Sequence, residues 1–161
     1  SQAYWQKSEV DLYNLANEAV EQLKHKLKVS FPTITVEFEP GTAKAYVDRD
    51  KVMRVFSNLL NNAVKFTPPG GYITIRAHNE TNFIRVAVED TGSGIPEEEL
   101  PRVFERFYRV EKTRSRDFGG TGLGLSIARK VIESHGGSIW IDSKQGSGTV
   151  VAFTLPRYNG L

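Results

Sequence analysis

Asp90-Thr91-Gly92-Ser93-Gly94-Ile95-Pro96 and Gly119-Gly120-Thr121-Gly122-Leu123-Gly124-Leu125 are two glycine clusters, and the stretch they bound decides the fold of this chain. The first follows an alternating apolar run, so it reads as a strand end turning into a loop. The second precedes Ser126 to Ile132, which has helical periodicity, so it reads as a loop feeding a helix N-terminus. Backbone amides at such a terminus, with no Cβ in the way, form a ready anion site. Between the clusters lie Phe104-Glu105-Arg106-Phe107-Tyr108-Arg109 and a charged run as far as Asp117. That arrangement implies a nucleotide pocket with a lid. Residues Thr113 to Gly120 offer little apolar burial, so the lid is expected to be mobile without nucleotide.

Upstream, Ser8 to Asp11 reads as a short strand, with Asp11 capping a helix from Leu12 to Leu27. Ile34 to Glu39 and Ala45 to Val47 read as strands separated by the Pro40-Gly41 turn. Asp48 stands where an N-cap should, before a helix from Arg49 to Phe66 that Pro68-Pro69-Gly70-Gly71 ends. Tyr72 to His78 and Phe83 to Glu89 alternate around Asn79-Glu80-Thr81-Asn82 as a hairpin. Downstream, a helix to Ser134 stops at Gly136-Gly137. Ser138 to Asp142 and Thr149 to Leu155 then form a hairpin around Gln145-Gly146-Ser147-Gly148. The economical architecture is a two-layer α/β sandwich, a mixed, mostly antiparallel sheet covered by three long helices. We assign 1–8 to the remnant of an upstream linker, 9–156 to the domain (lid about 97–121) and 157–161 to a C-terminal tail.

Length and composition set the outer bounds. The 161 residues are 39% hydrophobic and 25% charged, as in a globular domain with a real core. A net charge of +2 is too small to imply nucleic-acid binding by bulk electrostatics. The lack of cysteine excludes disulfides and thiolate metal sites, and permits a cytoplasmic location. No apolar run approaches the ~20 residues of a membrane span. The abrupt start at Ser1-Gln2-Ala3-Tyr4-Trp5 looks like a cut from a longer chain, so any membrane anchor would lie outside it.

The middle helix carries two faces. Val52, Phe56, Leu59, Leu60 and Ala63 form an apolar stripe, and Arg54, Asn58, Asn62 and Lys65 line a polar one. Asparagine is a poor helix former, yet Asn58, Asn61 and Asn62 crowd one turn. Amide oxygens suit Mg²⁺, which shares hard oxygen ligands with substrate phosphates, and Lys65 is placed to reach a phosphate oxygen. A carboxylate at Asp90 accepts a hydrogen bond from an exocyclic amine such as adenine's and rejects the acceptor that guanine presents there. Gly92 and Gly94 let backbone pass close to a ring. The second glycine cluster lacks the Lys-Ser/Thr ending of a P-loop and has the wrong spacing for a Rossmann fingerprint.

These signals occur in a fixed order, and the chain resembles the catalytic ATP-binding domain of two-component sensor histidine kinases. Asn58-Leu59-Leu60-Asn61-Asn62-Ala63-Val64-Lys65-Phe66-Thr67 resembles their asparagine box, Asp90 to Gly94 the first glycine box, Phe104 to Arg109 the phenylalanine box, and Gly120 to Gly124 the second glycine box. The resemblance spans Leu12 to Pro156. It implies the Bergerat fold, with ATP and Mg²⁺ bound, Asn62 as the metal ligand, and Asn58 and Lys65 near the phosphates. Phe66 would lie against the adenine, Asp90 on its amino group, and Arg109 near the γ-phosphate. It extends the nucleotide-binding set to Gly92, Gly94, Ile95, Tyr108 and Thr149. Gly120, Thr121, Gly122, Leu123 and Gly124 complete that set.

The partners it implies are a histidine-bearing helical-hairpin dimerisation domain of the same kinase and a downstream response regulator; the isolated domain would be monomeric. None of His25, His78 and His135 has the sequence surroundings of a phosphoacceptor, so the chain reads as the donor half of the enzyme. Related ATPases such as DNA gyrase, mismatch-repair proteins and heat-shock chaperones carry glutamate where Asn58 stands, as the base that orients water. An amide cannot take a proton at neutral pH, which favours the kinase reading over an ATP-driven conformational switch of the gyrase or chaperone type. Asn62, Lys65, Asp90 and both glycine boxes argue against a mere nucleotide-binding scaffold.

Overall fold

The computed structural model describes residues 5–27, 30–106, 108 and 124–160. Chain order among them is β1 (Lys7–Val10), α1 (Leu12–Lys26), β2 (Thr33–Phe38), β3 (Ala45–Asp48), α2 (Arg49–Phe66), β4 (Tyr72–Asn79) and β5 (Phe83–Asp90). A short 3-10 helix (Glu97–Arg102), α3 (Gly124–Ser134), β6 (Ile139–Lys144) and β7 (Gly148–Pro156) follow. The helix starts are chemically marked. Asp11 Oδ1 accepts the Asn14 N–H at 3.1 Å, and Asp48 Oδ1 accepts that of Lys51 at 3.2 Å, so two orphan donors are satisfied at the first turns. Thr67, after Phe66, leaves the helical region at φ −116°, ψ 111°, as a residue before Pro68 must.

Five strands form one sheet in the order β2-β4-β5-β7-β6. The β2–β4 pair is parallel and the other three pairs are antiparallel, a mixed, mostly antiparallel sheet as anticipated. The strands read on either side of Pro40-Gly41 are not neighbours: β3 pairs with β1 in a separate two-stranded sheet. One long connection explains the parallel pair. β3 and α2 together form the crossover that a parallel β2–β4 pair requires.

Period two divides the large sheet. Ile73, Ile75, Ile84, Val86, Val88, Val151, Phe153 and Leu155 point into the core, beneath the helices. On the other face Arg76 bridges Glu37 and Glu89 at 2.9 and 3.1 Å, and the Arg85 guanidinium lies 4.5 Å from the centroid of Trp140. α2 is the central helix, packed between α1 and α3. Its stripe is fully interior, with Phe56 meeting Phe153 edge-on at 5.8 Å. Arg157 and Tyr158, in the segment read as a tail, donate backbone N–H bonds to Asn82 and Lys44.

His135 closes the last turn of α3. It is 5% exposed, with Nδ1–H donating to the Val131 carbonyl at 2.8 Å and Nε2 accepting the Asp48 N–H at 3.1 Å. The Trp5 ring stacks on it at 4.5 Å. Burial, foremost, holds its pKa below the ordinary 6.5. The unfolded chain therefore takes up this proton at a higher pH than the folded one, so the contribution is full above 6.5 and declines as pH falls below it. Following the His135 imidazole resonances by NMR should show titration below 6.5; titration at or above 6.5 would contradict the buried acceptor role.

Candidate nucleotide site

The site forms where the ends of α2, β5 and β6–β7 and the start of α3 converge. On α2, Asn58, Asn62 and Lys65 are half-buried and span about 10 Å of helix axis. Asn58 Nδ2 donates to the Gly124 carbonyl at 3.3 Å, tying the first residue of α3 to the polar face of α2. Gly124 is thereby the described member of the second glycine cluster that reaches the asparagine row.

Asp90 ends β5. Its Oδ1 accepts the Gly92 N–H at 2.9 Å, folding the loop back over the carboxylate. Burial raises the Asp90 pKa above the ordinary 3.8, while the Gly92 and Thr149 N–H groups and the Thr67 hydroxyl pull the other way. Burial is the larger effect, as expected of a carboxylate withdrawn from water. A carboxylate so placed is a strong hydrogen-bond acceptor.

The glycines of the first cluster are set by close backbone approach. A Cβ on Gly92 would lie 2.2 Å from the Phe66 carbonyl oxygen, and one on Gly94 2.2 Å from that of Lys144; Gly94 is also at φ +72°. Ser93 links the same neighbours, its N–H donating to Phe66 O at 3.1 Å and its carbonyl accepting the Gly146 N–H at 2.7 Å. Ile95, 1% exposed, donates its N–H to Ser143 Oγ at 2.8 Å. Thr149, 4% exposed, stands opposite Asp90 in the β5–β7 register, its hydroxyl 2.7 Å from Ser143 Oγ. Phe66 is half-buried at the foot of this loop.

The described part of the stretch read as a lid is the 3-10 helix and the residues after it. Arg129 of α3 lies over the Phe104 ring at 5.8 Å, and the Tyr108 hydroxyl donates to Glu99 with Arg102 over its ring. Phe104 and Tyr108 thus anchor one end of the stretch, as their aromatic character suggests, and Tyr108's hydroxyl is engaged by Glu99. Phe107, Arg109, Gly120, Thr121, Gly122 and Leu123 lie outside the described residues. Two residues of the site carried no assigned role in the sequence. Ser143, whose hydroxyl gathers Ile95, Gly148 and Thr149, has no local signal at a strand end. Thr67 closes the asparagine box, which was its signal.

A half-buried carboxylate facing the end of an amide-rich helix across a glycine loop, on an α/β sandwich, defines a nucleotide-binding ATPase domain. The family model described as histidine kinase-, DNA gyrase B- and HSP90-like ATPase matches residues 47–159. Sensor histidine kinase WalK of Bacillus subtilis is 47% identical over 112 residues, 68% of this chain and 18% of its own. Adaptive-response sensory kinase SasA of Crocosphaera subtropica is 39% identical over 94% of this chain and 40% of its own. This chain thus spans two-fifths or less of these curated relatives. The crystallised catalytic domain of histidine kinase ThkA superposes with a TM-score of 0.80 at 31% identity, covering 94% of this chain and 96% of that one. ThkA in complex with response regulator TrrA gives 0.76 at 29% identity over 94% and 42%. The chain belongs to this ATPase family, as a catalytic domain of the sensor histidine kinase kind, and its fold is the Bergerat fold.

The raised pKa of Asp90 has a consequence for stability. The folded state keeps this proton to a higher pH than the unfolded chain, so stability without nucleotide falls as pH rises through that window. At neutral pH the ionised carboxylate opposes folding. Asp90→Asn, which keeps an oxygen for Gly92, should raise the nucleotide-free urea midpoint at pH 7, with the gain shrinking as pH is lowered. A less stable variant at pH 7 would overturn this account.

Proposed function

We propose that this domain binds ATP with Mg²⁺ and donates the γ-phosphoryl group to a histidine on a separate helical-hairpin dimerisation domain, for onward passage to a response regulator. The observation that carries the reading is the amide at 58, on the site face of α2. A water-activating base is needed there for hydrolysis, and the only acidic side chain along α2 is Asp50 in its first turn. A neutral imidazole is already a nucleophile and needs less help. Its nitrogen bonds to the γ-phosphorus as the bond from that phosphorus to the bridging oxygen breaks, and ADP leaves.

The acceptor lies in trans. His135 is buried with both ring nitrogens engaged. His78 sits on β4, facing Glu80 at 3.7 Å, five residues and about 17 Å of strand from the level of Asp90. His25 lies on the last turn of α1. ThkA, crystallised with its response regulator, supports the same class of partner for this chain. No helix among the described residues is long and apolar enough to cross a membrane; a supply of ATP places the domain on the cytoplasmic side of any membrane its parent meets.

Each residue then has a task. Asp90 accepts from the adenine amine, Phe66 lies against the ring, and Thr149 and Ile95 close the far wall. Lys65 and Asn58 approach the phosphates, with Arg109 near the γ-phosphate. The residues present fit Mg²⁺, a hard ion that keeps several waters and takes substrate phosphates as ligands: Asn62 would add a hard amide oxygen. Bound there, the ion neutralises phosphate charge, and catalysis rests on positioning.

The domain alone should bind ATP, hydrolyse it slowly and fail to label itself. Adding the hairpin domain of its parent kinase as a separate chain should restore transfer weakly, because the linker's effective concentration is lost. Asn62→Ala should abolish that transfer with little change in fold stability, and Asp90→Asn should weaken ATP binding by roughly 1.5–3 kcal/mol. Acid-labile phosphate on the acceptor and calorimetric titration are the measurements. Brisk turnover without an acceptor, or equal affinity for ATP and GTP, would overturn the reading.

A further inference from the structure

Among the described residues, Thr67 Oγ1 is the one buried side-chain polar atom without a hydrogen-bond partner, in a residue 2% exposed. Buried hydroxyls are ordinarily satisfied, and an exception calls for a cause. Its surroundings are fixed on every side. The preceding carbonyl, Phe66 O, takes the Ser93 N–H at 3.1 Å and abuts Gly92. The Thr67 methyl fills the space against Gly71, where a Cβ would come within 2.6 Å of it. With the methyl committed there, the hydroxyl is left on the side of Asp90, near enough to favour the ionised carboxylate yet without a made bond of ordinary geometry. Asp90 Oδ1 is already taken by the Gly92 N–H, and the Thr149 N–H also favours the ionised carboxylate.

We propose that Thr67 is a positioning residue for base recognition, its hydroxyl held in reserve to donate to Asp90 Oδ2 when an adenine amine arrives at that same oxygen. Gly92 and Thr67 then grip the carboxylate from two sides and set its plane, so that the remaining lone pair meets the amine. The reserve is the point: a bond made before nucleotide arrives would draw the hydroxyl into a fixed partnership, whereas an unmet donor makes nucleotide binding complete the network. The inference rests on the adenine reading of Asp90 and adds to it a threonine at the end of the asparagine box, which couples the base half of the site to the helix that carries the phosphate half.

Thr67→Val is the direct test, since it keeps the shape and removes only the hydroxyl. Its stability without nucleotide should stay close to that of the parent, because the hydroxyl makes no bond of ordinary geometry there. Its ATP affinity should fall about tenfold, the effect of one hydrogen bond to a charged group. Affinity for purine riboside triphosphate, which lacks the amine, should be almost unchanged. The pH below which ATP binding weakens should rise, since Asp90 loses a donor that favours its charged form. Thr67→Ser should restore affinity and pH profile. In a cycle with Asp90→Asn the two losses should not add. If Asp90→Asn leaves ATP binding intact, the adenine reading itself fails. If Asp90→Asn weakens ATP while Thr67→Val binds as the parent does, or Thr67→Val weakens both nucleotides alike, the reserve role alone is overturned.

Discussion

Two contacts between backbone and backbone hold the site together: the chain at Gly92 against the carbonyl ending α2, and the chain at Gly94 against the carbonyl ending β6. Neither neighbour is the flexible tip of a side chain, so neither can move aside for a methyl group. Any other residue at 92 or 94 would have to separate the end of α2 from β5, or β5 from the β6–β7 turn. That separation would take Asp90 away from the asparagine row. The distance between Asp90 and the asparagine row is therefore fixed by sterics, and the Ser93 hydrogen bonds on either side hold the gap closed once sterics permit it.

α2 serves as core and site at once. Its buried stripe is apolar throughout, and its opposite face carries two amides and a lysine, Asn58, Asn62 and Lys65. This division lets the apolar face supply stability that the site consumes. Asp90 is kept ionised at neutral pH against its own burial, and Thr67 carries an unmet hydroxyl. Both are unfavourable in the absence of ligand, and the α2 stripe, with Phe56 against Phe153, offsets them. Asn58 shows the same economy in chemistry: by tying Gly124 to the helix it organises the site without offering a base to water.

Local signals made most of the fold legible. Asp48 and Pro68 bracket α2, and alternation with polar turns marks both hairpins, because the forces that set those boundaries act between residues close in sequence. Pairing across long separations was not legible. The parallel β2–β4 pair and the detached β1–β3 sheet depend on which apolar faces meet, and a four-residue strand such as β1 buries only Val10. At the site, Asp90, the asparagines and the first glycine cluster stood out because each breaks a local rule for helix or strand. Ser143 breaks none, and Thr67 gains its meaning only from burial under the loop after β5. The 3-10 turn at Glu97–Arg102 hides within an acidic run that reads as loop.

The β5–β7 pairing carries a consequence for how the molecule is made. Asp90 faces Thr149 across about sixty residues of intervening chain, whereas β4–β5 and β6–β7 close through short turns. Closing the long loop costs entropy before its contacts repay it, so the hairpins precede the joining of the two halves of the sheet. Gly94, lodged against Lys144, reaches its place only with that joining. The site between these halves is completed only with that joining, so a ligand held there would stabilise the finished fold chiefly by slowing its unfolding.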